Sequence, residues 1–159
     1  MMLPCIASIV EGHGEIEALP VLVKRIFEQL VVIDSHGNAA CRLGPQLLVG
    51  ARSARPDLPV AVVLVHHEWE SWYLSAAESL SGRRGLHDGL TSPHDPEGIS
   101  GAKEWLSKRM QPGKAYSPTA DQAALAASLD LHAARRAPSF DKFYREVVRL
   151  FRDASALPR

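Results

Sequence analysis

The sequence predicts an α/β fold in which a small parallel sheet is followed by a mostly helical extension. Short apolar runs at 3–10, 31–33 and 60–65 lack polar alternation, which is typical of strands buried on both faces. Each run precedes a stretch with apolar residues at spacings of three and four, which indicates a helix. This order favours right-handed parallel crossovers. We therefore predict a single domain, with a three-layer core over 1–80 and a loop-rich helical extension over 81–159.

The core helices are placed by prolines and apolar faces. Pro20 is tolerated only in a first turn, so the first helix should begin near Ile16. A second helix is expected over about 39–55, with Gly44-Pro45 in its first turn or before its start. A third helix should follow the last strand, because its apolar residues share one face. They are Trp69, Trp72, Tyr73, Ala76, Ala77 and Leu80.

The extension begins with a long loop over 81–100, which is rich in Gly, Pro, Ser, His and Asp. Short helices are predicted over 101–110 and 121–134. A last amphipathic helix should open at Pro138, with Ser139 as a candidate N-cap.

Charge is balanced overall but not along the chain. There are 18 basic and 18 acidic residues, yet 1–80 holds 5 basic against 9 acidic, and 81–159 holds 13 against 9. This asymmetry predicts a first half that holds cations and a second half that touches phosphates, although solvated surface in both halves would give the same counts.

Several protein classes are disfavoured. Two cysteines make no disulfide framework, no run approaches the length of a membrane span, and the start lacks a basic signal-peptide region. We expect a cytoplasmic protein without a membrane partner.

Acidic side chains follow all three predicted strands. Glu11 and Glu15 follow the first, Asp34 the second, and Glu68 and Glu70 the third. Ligands of parallel sheets bind beyond the carboxyl ends of the strands, where these carboxylates would converge. Because clustered carboxylates repel, a hard cation such as Mg²⁺ or Mn²⁺ is expected to neutralise them. The alternative is that each acid caps a helix or is simply solvated.

Other sites fit less well. The Gly12-x-Gly14 turn has Glu17 where a dinucleotide fingerprint needs glycine, and the run from His66 to Glu68 lacks zinc-protease spacing. His13 and His36 are either general acids or ligands at the same edge, or surface histidines.

Four segments resemble a bacterial family of uncharacterised Toprim-like proteins, related to OLD-type nucleases, primases and topoisomerases. They are VEGHGE at 10–15, CRLGPQLL at 41–48, HHEWESWYLSA at 66–76 and APSFDKFYREVVRL at 137–150. The resemblance implies that Glu11 is a metal ligand or general acid/base. It also implies that Asp34 begins the magnesium-binding Asp-x-Asp, whose second position is His36 here.

We therefore predict a metal-dependent nuclease or phosphotransferase acting on nucleic acid phosphodiesters. Its phosphate contacts would come from basic pairs in the second half of the chain. They are Arg83, Arg84, Lys108, Arg109, Arg135 and Arg136. The resemblance also implies an alternative, a non-catalytic subunit that partners an ABC- or SMC-type ATPase in bacterial defence or repair.

Overall fold

The chain combines helices with a small parallel sheet. The computed structural model describes residues 31–35, 40–54, 56, 57 and 59–156, together with Ala18 and Val21. Strand β1 (Val31–Ser35) pairs in parallel with β2 (Val62–His66). The predicted mixture of helix and strand is confirmed, whereas the first apolar run at 3–10 lies outside the described residues.

Strand β2 is buried from Val62 to Val65, as its four consecutive apolar side chains require. It begins two residues later than the sequence pattern indicates. The carbonyl oxygen of Val60 instead accepts a hydrogen bond from the Arg149 guanidinium at 3.3 Å.

Helix α1 (Ala40–Ala54) packs against β2. Its bounds agree with the prediction within a residue, but Pro45 is its sixth residue rather than part of its first turn. A proline there removes one backbone hydrogen bond, which the rest of the helix tolerates. Gly44 of α1 is buried, and a Cβ added there would lie 3.7 Å from Leu64 Cδ1.

The predicted continuous helix after β2 is wrong. Helix α2 covers only Ser71–Ser75, and a 3₁₀ turn follows over Ala77–Leu80. The guanidinium of Arg136 explains the break, because its Nε and Nη2 donate to the Ser75 carbonyl oxygen at 3.0 and 2.5 Å. That oxygen is thereby taken from the helical ladder.

The extension contains α3 (Ala102–Ser107), α4 (Pro118–Ser128) and α5 (Leu131–Ala134) after the predicted long loop. A continuous helix over 121–134 is wrong, because α4 ends at Ser128 and Asp130 caps the next helix. Its carboxylate accepts the N–H groups of His132 and Ala133 at 2.9 and 3.1 Å.

Helix α6 (Pro138–Ala156) closes the core against β2. The Trp72 ring of α2 lies 5.1 Å from the Phe140 ring and 5.0 Å from the Phe143 ring, and all three are fully buried. Two of the segments that carry the family resemblance therefore meet in the core. No helix within the described part of the chain is long and apolar enough to cross a bilayer.

Candidate functional site

The carboxyl ends of β1 and β2 form one edge of the sheet. Asp34 pairs with Val65 and Ser35 with His66, so both strands end side by side. His67 follows in a left-handed conformation with φ of 61°, and the N–H of Glu68 bonds back to the His66 carbonyl oxygen at 2.9 Å. This tight turn places Glu68 directly after the edge.

The Glu68 carboxylate caps helix α3. It accepts backbone N–H groups from Gly101, Ala102 and Lys103 at 2.9, 3.2 and 3.3 Å. Gly101 has φ of 83°, a conformation that glycine adopts at little cost. Glu68 therefore connects the end of β2 to the first turn of α3.

Glu70 is fully buried behind this edge. Its Oε1 accepts hydrogen bonds from the Tyr116 hydroxyl at 2.9 Å and the Gln122 amide at 2.8 Å. Its Oε2 makes no hydrogen bond with any described residue and lies 4.0 Å from Lys103 Nζ. Glu70 thus joins α2 to α4 and to the loop before it.

Burial raises the pKa of Glu70, and Lys103 and the Gln122 amide oppose this effect only in part. Burial also raises the pKa of Tyr116, and the neighbouring Glu70 carboxylate adds to it. The Tyr116 hydroxyl therefore stays protonated and donates to Glu70.

A third carboxylate, Glu97, was missed by the sequence analysis. It accepts the backbone N–H of Ser139 at 3.0 Å and also the Ser139 hydroxyl. The Trp72 indole donates to Ser139 Oγ at 2.7 Å, and His66 Nδ1 donates to the Glu97 carbonyl oxygen at 2.9 Å. Ser139 is therefore not the N-cap of α6 but its second residue, and Glu97 supplies the capping carboxylate.

The structure tests the predicted cation ligands unevenly. Glu11 and Glu15 lie outside the described residues, as do His13 and His36. Asp34 has its backbone at the sheet edge. Glu68 and Glu70 have carboxylates that already serve a helix cap and a buried network, so their assignment as ligands stays a prediction.

No group of three or more His, Cys, Asp or Glu side chains is placed to hold a metal ion within the described ranges. Glu70 Oε2 is a buried oxygen that has no hydrogen-bond partner among the described residues, and such an atom is costly unless something compensates it.

Four of the six predicted nucleic-acid residues line clefts in the described part of the chain. Lys108 and Arg109 line a cleft together with Glu68. Arg84 lines a second cleft and pairs with Asp121 at 3.2 Å.

The last basic pair serves other contacts. Arg135 lines a third cleft on α6 and pairs with Asp141 at 2.7 Å. Arg136 donates to the Ser75 carbonyl oxygen. Arg83, which belongs to the first basic pair, is exposed.

A protein-family model described as Domain of unknown function (DUF4276) matches residues 46–147, which is more than half of the chain. The chain therefore belongs to this family. The match includes β2, Glu68, Glu70 and the cleft beside them. No curated protein matches the chain, and no solved structure does.

Proposed function

We propose that this protein is a Toprim-like, divalent-metal-dependent enzyme that cleaves or transfers nucleic acid phosphodiesters. The observation that supports it is the parallel, in-register pairing of β1 with β2, which brings Asp34 and the segment after His66 to one sheet edge. The resemblance of VEGHGE to the Toprim opening motif implies that Glu11 would belong to the same site.

The cation would be held by Asp34, Glu11 and Glu15, whose oxygens suit Mg²⁺ or Mn²⁺. When bound, it supplies Lewis-acid polarisation of a phosphate and charge neutralisation. Glu68 and Glu70 support the edge from behind, the first by capping α3 and the second through Tyr116 and Gln122. Glu11 would act as the general acid/base.

Incubation of the purified protein with single-stranded and duplex DNA and RNA, with Mn²⁺, Mg²⁺ or chelator, tests this proposal. We expect cleavage that the chelator abolishes. Glu11→Gln should reduce it by about a hundredfold or more, the usual contribution of an acid/base group, and Asp34→Asn should reduce it because a cation ligand is lost. Asp88→Asn, at an exposed loop position, is the matched control and should retain activity. Full cleavage by Glu11→Gln would refute the catalytic assignment.

We also propose an alternative, a non-catalytic subunit of an ABC- or SMC-type ATPase in a bacterial defence or repair system. The engagement of Glu68 and Glu70 in structural contacts favours it, as do large apolar side chains left on the surface. Val49 is 66% exposed, Phe151 44% and Leu43 36%. Metal-dependent turnover by the isolated protein, lost on chelation, would exclude this alternative.

A further inference from the structure

A cleft of about 630 Å³ opens next to the strand edge, a size typical of ligand pockets. Glu68 forms its side nearest the sheet, and the start and outer face of α3 form the remainder. Its lining includes Glu68, Gly101, Glu104, Trp105, Lys108 and Arg109.

The Trp105 and Arg109 side chains in this cleft are stacked. The Arg109 guanidinium carbon lies 3.5 Å from the centre of the Trp105 ring, and its Nη1 donates to the Trp105 carbonyl oxygen at 3.2 Å. One hydrogen bond and one cation–π contact to the same residue hold the guanidinium over an indole that itself packs on the core. The pair is a fixed flat surface in the wall of an open cleft.

The polar groups of the cleft are arranged around that surface. Lys108 is exposed, and no ion pair with a described residue holds its ammonium group. Glu68 is turned toward three backbone N–H groups, which lowers its repulsion toward an anion. The cleft therefore offers one available cation beside a planar stacking surface.

We infer that this cleft binds one nucleotide of a single-stranded nucleic acid, with the base stacked on the Trp105–Arg109 pair and a phosphate at Lys108. Bases stack on aromatic rings and on guanidinium planes, and single strands are bound by combining such platforms with backbone cations. This inference rests on the proposed function and specifies the form of its substrate.

The charges of the cleft favour a nucleotide over an acidic peptide. Its wall carries two acidic side chains, Glu68 and Glu104, against Lys108 and Arg109. A peptide rich in carboxylates needs an excess of cations at every contact. A nucleotide needs one cation for its phosphate and one flat surface for its base, which Lys108 and the Trp105–Arg109 pair provide.

Tryptophan fluorescence can report this contact directly. Trp69 and Trp72 are 2% and 0% exposed, whereas Trp105 is only partly buried, so a stacking ligand can quench Trp105 alone. We would titrate the full chain with a short single-stranded DNA in chelator, and in parallel with a base-free strand that keeps only sugars and phosphates.

The expected result is saturable quenching by the DNA strand and, for the base-free strand, binding at least about tenfold weaker without quenching, since stacking contributes on this scale. Trp105→Leu should lower affinity by a similar factor and Arg109→Lys by less, because lysine keeps the charge but loses the plane. Phe151→Leu, an exposed aromatic position on α6, is the matched control.

Equal affinity for both strands, binding without quenching, or no binding would each overturn the inference. Quenching by an oligoglutamate peptide instead of DNA would assign the cleft to an acidic protein partner and overturn it as well. Because the titration is made in chelator, it does not depend on the cation site. The wild-type quenching measurement also needs no variant, so a poorly folded Trp105→Leu protein would leave the test intact.

Discussion

Glu70 shows how one residue can be central to a structure without being exposed to a ligand. Its carboxyl group is fully buried, accepts two hydrogen bonds on one oxygen and none on the other, and has a raised pKa. Burial in such a site favours the neutral form of a carboxyl group over its charged form more strongly than water does. The buried site therefore binds a proton more readily than the unfolded chain does.

This difference makes stability depend on pH in a definite direction. The folded protein holds the Glu70 proton above the ordinary pKa of 4.5, at which the unfolded chain loses it. Stability from this group is therefore present below 4.5 and is lost as pH rises toward the folded pKa. In metal-free buffer, the free energy of unfolding of the wild type should fall by up to about 1.4 kcal/mol per pH unit in this window because of Glu70. The Glu70→Gln variant should lack this part of the fall.

Urea unfolding of both proteins at a series of pH values measures the effect. Glu104→Gln, at an exposed position on α3, is the control and should follow the wild-type curve. Parallel curves for wild type and Glu70→Gln would show that Glu70 is ionised in both states.

At the scale of elements, carboxylates outside two helices supply their N-terminal caps. Glu68 caps α3 and Glu97 caps α6, each across a long sequence separation. Local N-caps are visible in a sequence because they directly precede their helix. The caps by Glu68 and Glu97 are not visible in the sequence, because each depends on the path of the loop over 81–100.

Replacing Glu97 should destabilise α6. Glu97→Ala leaves the buried N–H and hydroxyl of Ser139 without their acceptor, and we expect a loss of about 2 kcal/mol in the free energy of unfolding. Asp95→Ala, an exposed residue of the same loop that bonds only the Gly98 N–H among the described residues, should cost about 0.5 kcal/mol. Equal losses would refute the capping role.

The sequence predicted the elements better than their breaks. Apolar runs and periodic faces placed β2, α1, α3 and α6 to within a few residues. The missed breaks arise from long-range polar contacts, such as the Arg136 bonds to the Ser75 carbonyl oxygen. No local pattern contains that information, because the partners are 61 residues apart along the chain.

The candidate site could be predicted only in part, because it too depends on contacts between residues far apart in the sequence. Strand-end acids could be identified from the end of each apolar run, and the pairing of β1 with β2 agrees with their placement. The structural partners of Glu68 and Glu70 could not be identified from the sequence, because Gly101, Tyr116 and Gln122 come from the extension. The stacked Trp105 and Arg109 are one helical turn apart, a spacing that was visible but not interpreted.

At the scale of the whole molecule, the basic residues of the extension differ in the contacts that they make within the protein. Arg84, Arg135 and Arg136 are held by contacts within the protein, and the cleft beside the strand edge contains Lys108 and Arg109. Nucleic acid should therefore meet few cations rather than the full basic half of the chain.

The salt dependence of DNA binding tests this. One phosphate contact, at Lys108, on a single strand predicts a slope of about −0.7 for log affinity against log salt, and Lys108→Gln should bring the slope close to zero. Arg152→Gln, on the separate α6 cleft, should leave the slope unchanged. A slope several times steeper would indicate that the dispersed arginines contact the strand.

The most direct test of the proposed enzyme is calorimetric titration of the purified protein with Mn²⁺, beside Asp34→Asn and the control Asp88→Asn. We expect one saturable site in the wild type and control and its loss in Asp34→Asn, since that aspartate lies at the shared edge of β1 and β2. Unchanged Mn²⁺ binding in Asp34→Asn, or none in the wild type, would contradict a cation site at this edge and favour the non-catalytic subunit.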